Sequence, residues 1–131
     1  MKEILFRGKR KDNGEWIEGF YFQKKNPFSE YGEPIRHFIS DLPPFGAEVI
    51  HETVGQYTGL KDKNGKRIFE GDVVRAKRID NYEIYTGYVV WGKGCFDIKI
   101  KKMNKPAIDL FKDFEVIGNI HDNPELLEVK V

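Results

Sequence analysis

Two Asn-Gly pairs constrain what this chain can fold into. Asn13-Gly14 separates two short apolar segments, and Asn64-Gly65 stands in a similar position further along the chain. Asn-Gly is the strongest short signal for a β-hairpin, because a type I′ turn needs positive φ at both of its central residues. The sequence therefore predicts a hairpin over residues 3–22 and a second hairpin of the same kind around Asn64-Gly65.

The clearest hydrophobic period in the chain lies between residues 95 and 101. Its apolar positions are Phe96, Ile98 and Ile100, and they alternate with Asp97, Lys99 and Lys101. A period of two predicts an antiparallel strand with one buried and one solvated face. Weaker patterns of the same type predict strands over 35–39, 49–57, 73–79, 84–91 and 115–120.

Helical signals are few and short. Apolar residues at helical spacing predict one or two turns over residues 107–114. A single turn is predicted after Asn123, with Asn123 as its cap and Pro124 at the first helical position. Short strands at intervals of about 8–12 residues instead predict a small barrel or sandwich.

The predicted fold class is mainly β: a small SH3-like, or related, partly open barrel with an N-terminal β-hairpin lobe and at most one or two short helices. Residues 1–56 are expected to form the N-terminal β lobe, which includes an irregular excursion containing proline. Residues 57–131 are expected to form the barrel-like domain, with the C-terminal tail docked on it.

Composition excludes several classes of protein. The chain has 131 residues, a net charge of +1 and one cysteine, so it holds neither an intramolecular disulfide nor a zinc site made of cysteines alone. No apolar run approaches the ~20 residues that span a bilayer, so we expect a cytoplasmic protein without a membrane partner. His37, His51 and His121 lack ligand spacing, and we expect no metal and no cofactor.

Catalytic motifs are missing from the sequence. Gly92-Lys93-Gly94 lacks the pattern of a phosphate-binding loop, and Cys95 is expected to be an inert thiol beside a turn. We therefore expect no catalytic residues and no enzymatic activity. An enzyme would need a pocket in which polar groups converge, and the candidates for it are His51, Glu52, Asp72 and His121.

Charge is distributed unevenly along the chain. Residues 61–78 hold seven basic and three acidic side chains, and residues 93–105 hold five and one. If two strands bring these blocks together, they predict a nucleic-acid-binding face, formed by Arg75, Lys77, Arg78, Lys99, Lys101 and Lys102. The alternative is that these side chains keep strand edges soluble. The acidic blocks at 26–60 and 106–131 complement the basic ones, which suits self-association as well as pairing within one chain.

Three stretches of the chain carry a resemblance to a known family. They are residues 56–66 (QYTGLKDKNGK), 68–74 (IFEGDVV) and 116–127 (VIGNIHDNPELL), and the start EILFRG at 3–8 agrees with them. In these motifs the chain resembles the YopX family of phage and prophage proteins. The resemblance implies a mainly β protein from temperate phages of low-GC Gram-positive bacteria, without an established molecular function or catalytic residues to transfer.

The motif residues are interpreted as architecture. We assign turns, corners and close packing to Gly59, Gly65, Gly71, Asp72, Gly118, Asn123 and Pro124. The segment from Pro124 to Leu127 is expected to dock the tail by burying Leu126 and Leu127. The expected function is that of a non-enzymatic phage accessory protein. It would act through protein-protein surfaces, as a homo-oligomer or with a phage or host protein, and nucleic-acid binding is the alternative.

Overall fold

The computed structural model describes residues 4–28, 30, 32–42, 45–92, 94–100 and 108–127. The chain divides into two compact units, Met1–Tyr57 and Thr58–Val131.

The described residues form ten strands and three short 3-10 helices. The strands are β1 (Phe6–Lys9), β2 (Trp16–Lys25), β3 (Ile35–Leu42), β4 (Phe45–Glu48), β5 (Gly55–Lys61), β6 (Arg67–Phe69), β7 (Asp72–Arg78), β8 (Ile84–Trp91), β9 (Phe96–Lys99) and β10 (Phe111–Asn119). The 3-10 helices are His51–Thr53, Ile108–Leu110 and Pro124–Leu127.

The first unit is an antiparallel sheet with the strand order β4-β3-β2-β1-β5, to which β5 contributes its first residues. An isolated bridge between Arg10 and Val49 also ties the chain after β1 to the residue that follows β4. Ile39 and Val49 are buried in this unit. A Cβ atom on Gly8 would lie 3.0 Å from the Ile39 side chain and 3.1 Å from Val49, so a larger residue would require these side chains to shift.

The second unit contains β6 and an antiparallel sheet in the order β10-β7-β8-β9. One face of this sheet packs on the core, which consists of Ile68, Val74, Ala76, Val89, Phe96, Ile98, Ile100, Phe111 and Phe114. The alternation predicted from Phe96 to Ile100 therefore correctly identifies a half-buried strand. The mainly β fold class is confirmed, and the described residues form two antiparallel sheets rather than a closed barrel.

Both predicted hairpins form, but their turn type differs from the prediction. Gly14 and Gly65 have φ of 73° and 82°, whereas neither Asn13 nor Asn64 has a positive φ. In the second hairpin the Asp62 N–H donates to the Lys66 carbonyl at 2.7 Å, which closes a longer loop than a two-residue turn. A longer loop needs only one left-handed residue, and glycine supplies it.

The helical turns predicted over 107–114 are wrong in part. Among the described residues of this range, Ile108–Leu110 forms a single 3-10 turn, and β10 begins at Phe111. Asp113 has a φ of 55°, and the register shifts between Lys112 and Glu115. This irregularity turns both Phe111 and Phe114 towards the core, so a helical spacing of apolar residues arises within an extended strand.

The prediction of one strand over 49–57 is also wrong in part. His51–Thr53 forms a 3-10 turn, and β5 begins only at Gly55. The Thr53 hydroxyl accepts the Lys9 N–H at 2.8 Å and donates to the Ile50 carbonyl at 2.6 Å. These bonds hold the turn against β1 in place of a continuous strand.

Candidate functional site

The strand register of the second unit places three of the predicted basic side chains together. Arg75 lies opposite Thr86 on β8, Lys77 lies opposite Ile84, and Lys99 on β9 lies opposite Tyr88. Because antiparallel partners point to the same side of a sheet, all of these side chains share the face opposite the core. We call Arg75, Lys77 and Lys99 the basic face.

The electrostatics of the basic face are mixed. Arg75 Nη1 lies 3.4 Å from Glu115 Oε1, and Lys63 Nζ lies 3.4 Å from Glu115 Oε2. Lys99 Nζ lies 5.8 Å from the centre of the Tyr88 ring, a cation–π contact. An open concavity of about 480 Å³ lies beside Arg75, Lys77 and Glu115.

The other predicted basic residues do not join this face in the part of the chain that is described. Arg78 lies opposite Phe111, whose side chain is in the core, and its Nε donates to Asp80 at 2.9 Å. Lys101 and Lys102 lie outside the described residues.

The first unit has a groove that the sequence did not predict. We call it the hairpin groove; it has a volume of about 490 Å³, and its lining includes Arg10, Arg36, Phe38, Asp41, Phe45 and Glu48. Phe45 is 75% exposed, and its strand partner Leu42 is 68% exposed. The segment Leu42-Pro43-Pro44-Phe45 is a sequence signal, since it is apolar within a region predicted to be irregular.

Positive and negative side chains form ion pairs at the hairpin groove. Glu48 accepts Arg36 Nε at 3.2 Å and Nη2 at 2.8 Å, and Lys11 Nζ at 3.2 Å. The hydrogen bond from Arg36 lowers the pKa of Glu48 to about 2, with burial opposing the shift and Lys11 supporting it. Arg10 forms a second two-point pair with Asp12, at 3.0 and 2.7 Å.

Three titratable side chains of the first unit form a stack. The Tyr21 hydroxyl lies 2.6 Å from His37 Nδ1, and Gln23 Nε2 donates to the same hydroxyl at 2.8 Å. The His37 and His51 rings are parallel, with their centroids 3.9 Å apart. Burial, followed by the charge of His51, lowers the pKa of His37. The described residues contain no group of side chains arranged to hold a metal ion.

The motif glycines have distinct backbone roles. Gly59, Gly65 and Gly71 have φ of 88°, 82° and 91°, a region that residues with a Cβ rarely adopt. After Gly71, the buried carboxylate of Asp72 accepts the Phe69 N–H at 2.7 Å, which fixes the turn into β7.

The C-terminal motif approaches β10 closely. A Cβ atom on Gly118 would lie 2.6 Å from Asn123 Oδ1 and 2.8 Å from Leu126 Cδ1. Asn123 Oδ1 accepts the Asn119 N–H at 3.2 Å, so this side chain is directed back to β10. Leu126 is 37% exposed, which contradicts its predicted burial, and Leu127 is half-buried. Pro124 begins the predicted single turn.

Asp62 was missed in the sequence analysis. Its Oδ1 accepts the N–H groups of Asn64 and Lys66, both at 2.9 Å, and its Oδ2 accepts the Val116 N–H at 3.0 Å. Burial alone would raise the pKa of Asp62, but these three backbone donors outweigh it and lower the pKa. An aspartate at the start of a turn was the available signal, since aspartate side chains bind nearby backbone N–H groups.

Comparison with known proteins decides the family. The model of the YopX family, described as YopX protein, matches residues 5–128. The chain belongs to the YopX family. The crystal structure of protein EF1440 from Enterococcus faecalis is similar, with 27% sequence identity and a TM-score of 0.55, and the match covers 98% of this chain and 100% of that one. No curated protein matches the chain.

The groups proposed for an enzyme fall into both units of this YopX-family chain. His51 and Glu52 belong to the first unit, and Asp72 and His121 belong to the second. Cys95 is exposed, and the hydrogen bond from its thiol to Asp97 raises its pKa, which disfavours the reactive thiolate. Among the described helices, none is long and apolar enough to cross a membrane.

Proposed function

We propose that this YopX-family chain is a non-enzymatic accessory protein of a phage or prophage, acting in the host cytoplasm through protein-binding surfaces and associating with itself as a homo-oligomer. The observation that carries the proposal is the exposure of Leu42 and Phe45 beside the hairpin groove, at 68% and 75%. Full burial of such a side chain stabilises a protein by roughly 1.5–3 kcal/mol, so clustered exposed ones favour an interaction surface.

A non-enzymatic role is supported by polar side chains that form hydrogen bonds and ring contacts within the protein. Asp62 and Asp72 direct their oxygens at backbone N–H groups. Tyr21 and His37 bind each other, and the His51 ring covers His37. A catalytic acid or base must instead be within reach of a substrate proton.

Sedimentation velocity over a range of micromolar concentrations tests self-association. We expect a weight-average mass above that of the 15.3 kDa chain, increasing with concentration. A single species with the mass of one chain at every concentration would contradict the proposal.

Nucleic-acid binding is the second candidate function, and the basic face favours it. Arg75, Lys77 and Lys99 share one sheet face with Tyr88, which combines phosphate-binding charges with an aromatic ring; Arg75 and Lys99 are exposed, and Lys77 and Tyr88 are half-buried. Glu115 weakens this surface because it pairs with Arg75. Lys99 lies on the edge strand β9, so it also suits the simpler role of keeping a strand edge soluble, whereas Lys77 lies on β7, which is paired on both sides.

Titration with single- and double-stranded DNA and RNA, at low and moderate salt, tests this second function. For the wild type we expect binding that weakens with salt, and for Lys77→Gln and Lys99→Gln a reduction of the log-log salt slope by about 1 each. Arg78→Gln is the matched control, since Arg78 pairs with Asp80 away from the basic face. The absence of binding at low salt would end this alternative.

A further inference from the structure

We propose that the hairpin groove is the surface through which two copies of this chain associate, with the Phe45 ring of each copy lying in the groove of the other. The proposal rests on the self-association proposed above and names its interface. A two-fold axis relates the two copies.

The groove and the side chain that would fill it belong to the same hairpin. Phe45 stands at the groove and is 75% exposed, while Phe38, on the neighbouring strand β3, lies in the lining and is half-buried. A two-fold contact uses the same patch on both copies, so it must be complementary to itself. A patch that offers both an apolar ring and a groove with an aromatic lining meets that condition.

The charges that line the groove are better suited to binding a second copy of this chain than to binding a partner with a strong charge of one sign. The lining carries Arg10 and Arg36 together with Asp12, Asp41 and Glu48, so both signs are present and neither dominates. A polyanion such as nucleic acid would meet three carboxylates there. A second copy brings the same balance of signs, with Arg10 and Arg36 already paired to Asp12 and Glu48, so neither copy presents a surplus of one charge to the other.

Contacts within the chain hold several side chains at the groove. Phe38 stacks on Phe22 with ring centroids 5.2 Å apart and 10° between the planes. Arg36 and Lys11 hold the Glu48 carboxylate from two sides. Side chains that are held in this way within one copy lower the ordering cost of association.

The apolar area suits the centre of a small interface. A buried Phe removes roughly 150–250 Å² from water, and a stable interface buries roughly 1,200–2,000 Å² in total. Two copies of Phe45 and two of Leu42 would supply an apolar centre, with the ion pairs Arg10–Asp12 and Arg36–Glu48 around it. An apolar centre with a charged rim is the usual anatomy of protein interfaces.

The test compares Phe45→Ser with Phe28→Ser. Phe28 is the same residue type in the same unit and is 69% exposed, but it does not line the groove. Both positions are exposed, so both variants are expected to fold, as circular dichroism would verify. By sedimentation equilibrium we expect Phe45→Ser to raise the dissociation constant by about 100-fold, roughly tenfold for each lost ring, and Phe28→Ser to leave it unchanged.

Leu42→Ser provides a second variant on the same patch, and we expect it to weaken association in the same direction. If the wild type self-associates and both Phe45→Ser and Leu42→Ser have the same dissociation constant as the wild type, the groove is not the interface, although the proposed function stands. An equal increase of the dissociation constant in Phe28→Ser would also contradict the assignment of the interface to the groove. A wild type that stays monomeric, even if it binds a different protein through Phe45, overturns self-association itself.

Discussion

The imidazole rings of His37 and His51 lie parallel, with their centroids 3.9 Å apart. His37 is buried, and burial is the main reason why its pKa lies below the ordinary 6.5, with the charge of His51 as the next cause. Lys11 lowers the pKa of His37 further, whereas Glu33 and Glu52 raise it. His37 therefore binds a proton less readily in the folded protein than in the unfolded chain, and this difference makes stability depend on pH.

We predict that the free energy of unfolding decreases as the pH falls from about 7.5 to about 5.5. Below the unfolded pKa of 6.5 the unfolded chain binds a proton at His37 that the folded chain does not, so acid favours unfolding. Urea unfolding at both pH values measures the difference. His37→Gln should flatten this part of the curve, and an unchanged slope in that variant would refute the assignment.

A second pH effect is expected at lower pH from Glu48. Its folded pKa of about 2 lies below the ordinary 4.5, so its contribution to stability is complete above about pH 4.5 and is lost as the pH falls towards 2. Thermal unfolding between about pH 5 and about pH 2.5 should show this loss in the wild type. Glu48→Gln should reduce it, and Arg36→Lys, which keeps the charge but not the two-point geometry, should give an intermediate result.

Asp62 should be among the most sensitive polar residues of the second unit. Asp62→Ala removes the acceptor of three backbone N–H groups, and we expect a loss of roughly 2–4 kcal/mol in unfolding free energy. Asp62→Asn retains one carbonyl oxygen and should lose less. Asp80→Ala, which removes only the exposed pair with Arg78, is the control and should change denaturant midpoints little.

Glycine is required at position 19 for a different reason than at position 65. A Cβ atom on Gly19 would collide with the backbone carbonyl of Ser40 and lie 2.9 Å from the Asp41 nitrogen. We expect Gly19→Ala to cost about 3 kcal/mol or more, because backbone atoms of two paired strands would have to separate. At Gly65 there is open space but a φ of +82°, so Gly65→Ala should cost about 1–2 kcal/mol. Equal losses in chemical denaturation would contradict this distinction.

Local patterns predicted the fold class well. The alternation from Phe96 to Ile100 and the turns at Gly14 and Gly65 depend on neighbouring residues only, and the structure contains the corresponding strands and hairpins. The helical turns predicted over residues 107–114 stop at Leu110, for a reason that neighbouring residues do not encode. A left-handed residue at Asp113 shifts the pairing of β10 with β7, so the spacing of Phe111 and Phe114 imitates a helix.

The candidate surfaces were predictable only in part. Clustered basic residues suggested a binding face, and strand register brings Arg75, Lys77 and Lys99 together while it directs Arg78 elsewhere. For the hairpin groove the sequence offered only the apolar segment at residues 42–45, and it did not predict a groove, because the lining comes from β2, β3, β4 and the loop after β1. Residues far apart in sequence become neighbours through pairing alone.

The sequence by itself determined that this chain forms short antiparallel strands joined at glycine turns, because residue alternation and turn chemistry act over a few positions. Tertiary structure decided which side chains meet: His37 with His51, Asp62 with Val116, and Phe38 with Glu48. The physical reason is that strand register is cooperative. A shift of a single residue in pairing moves every side chain of a strand to the opposite face, and that choice is made by the packing of the whole sheet.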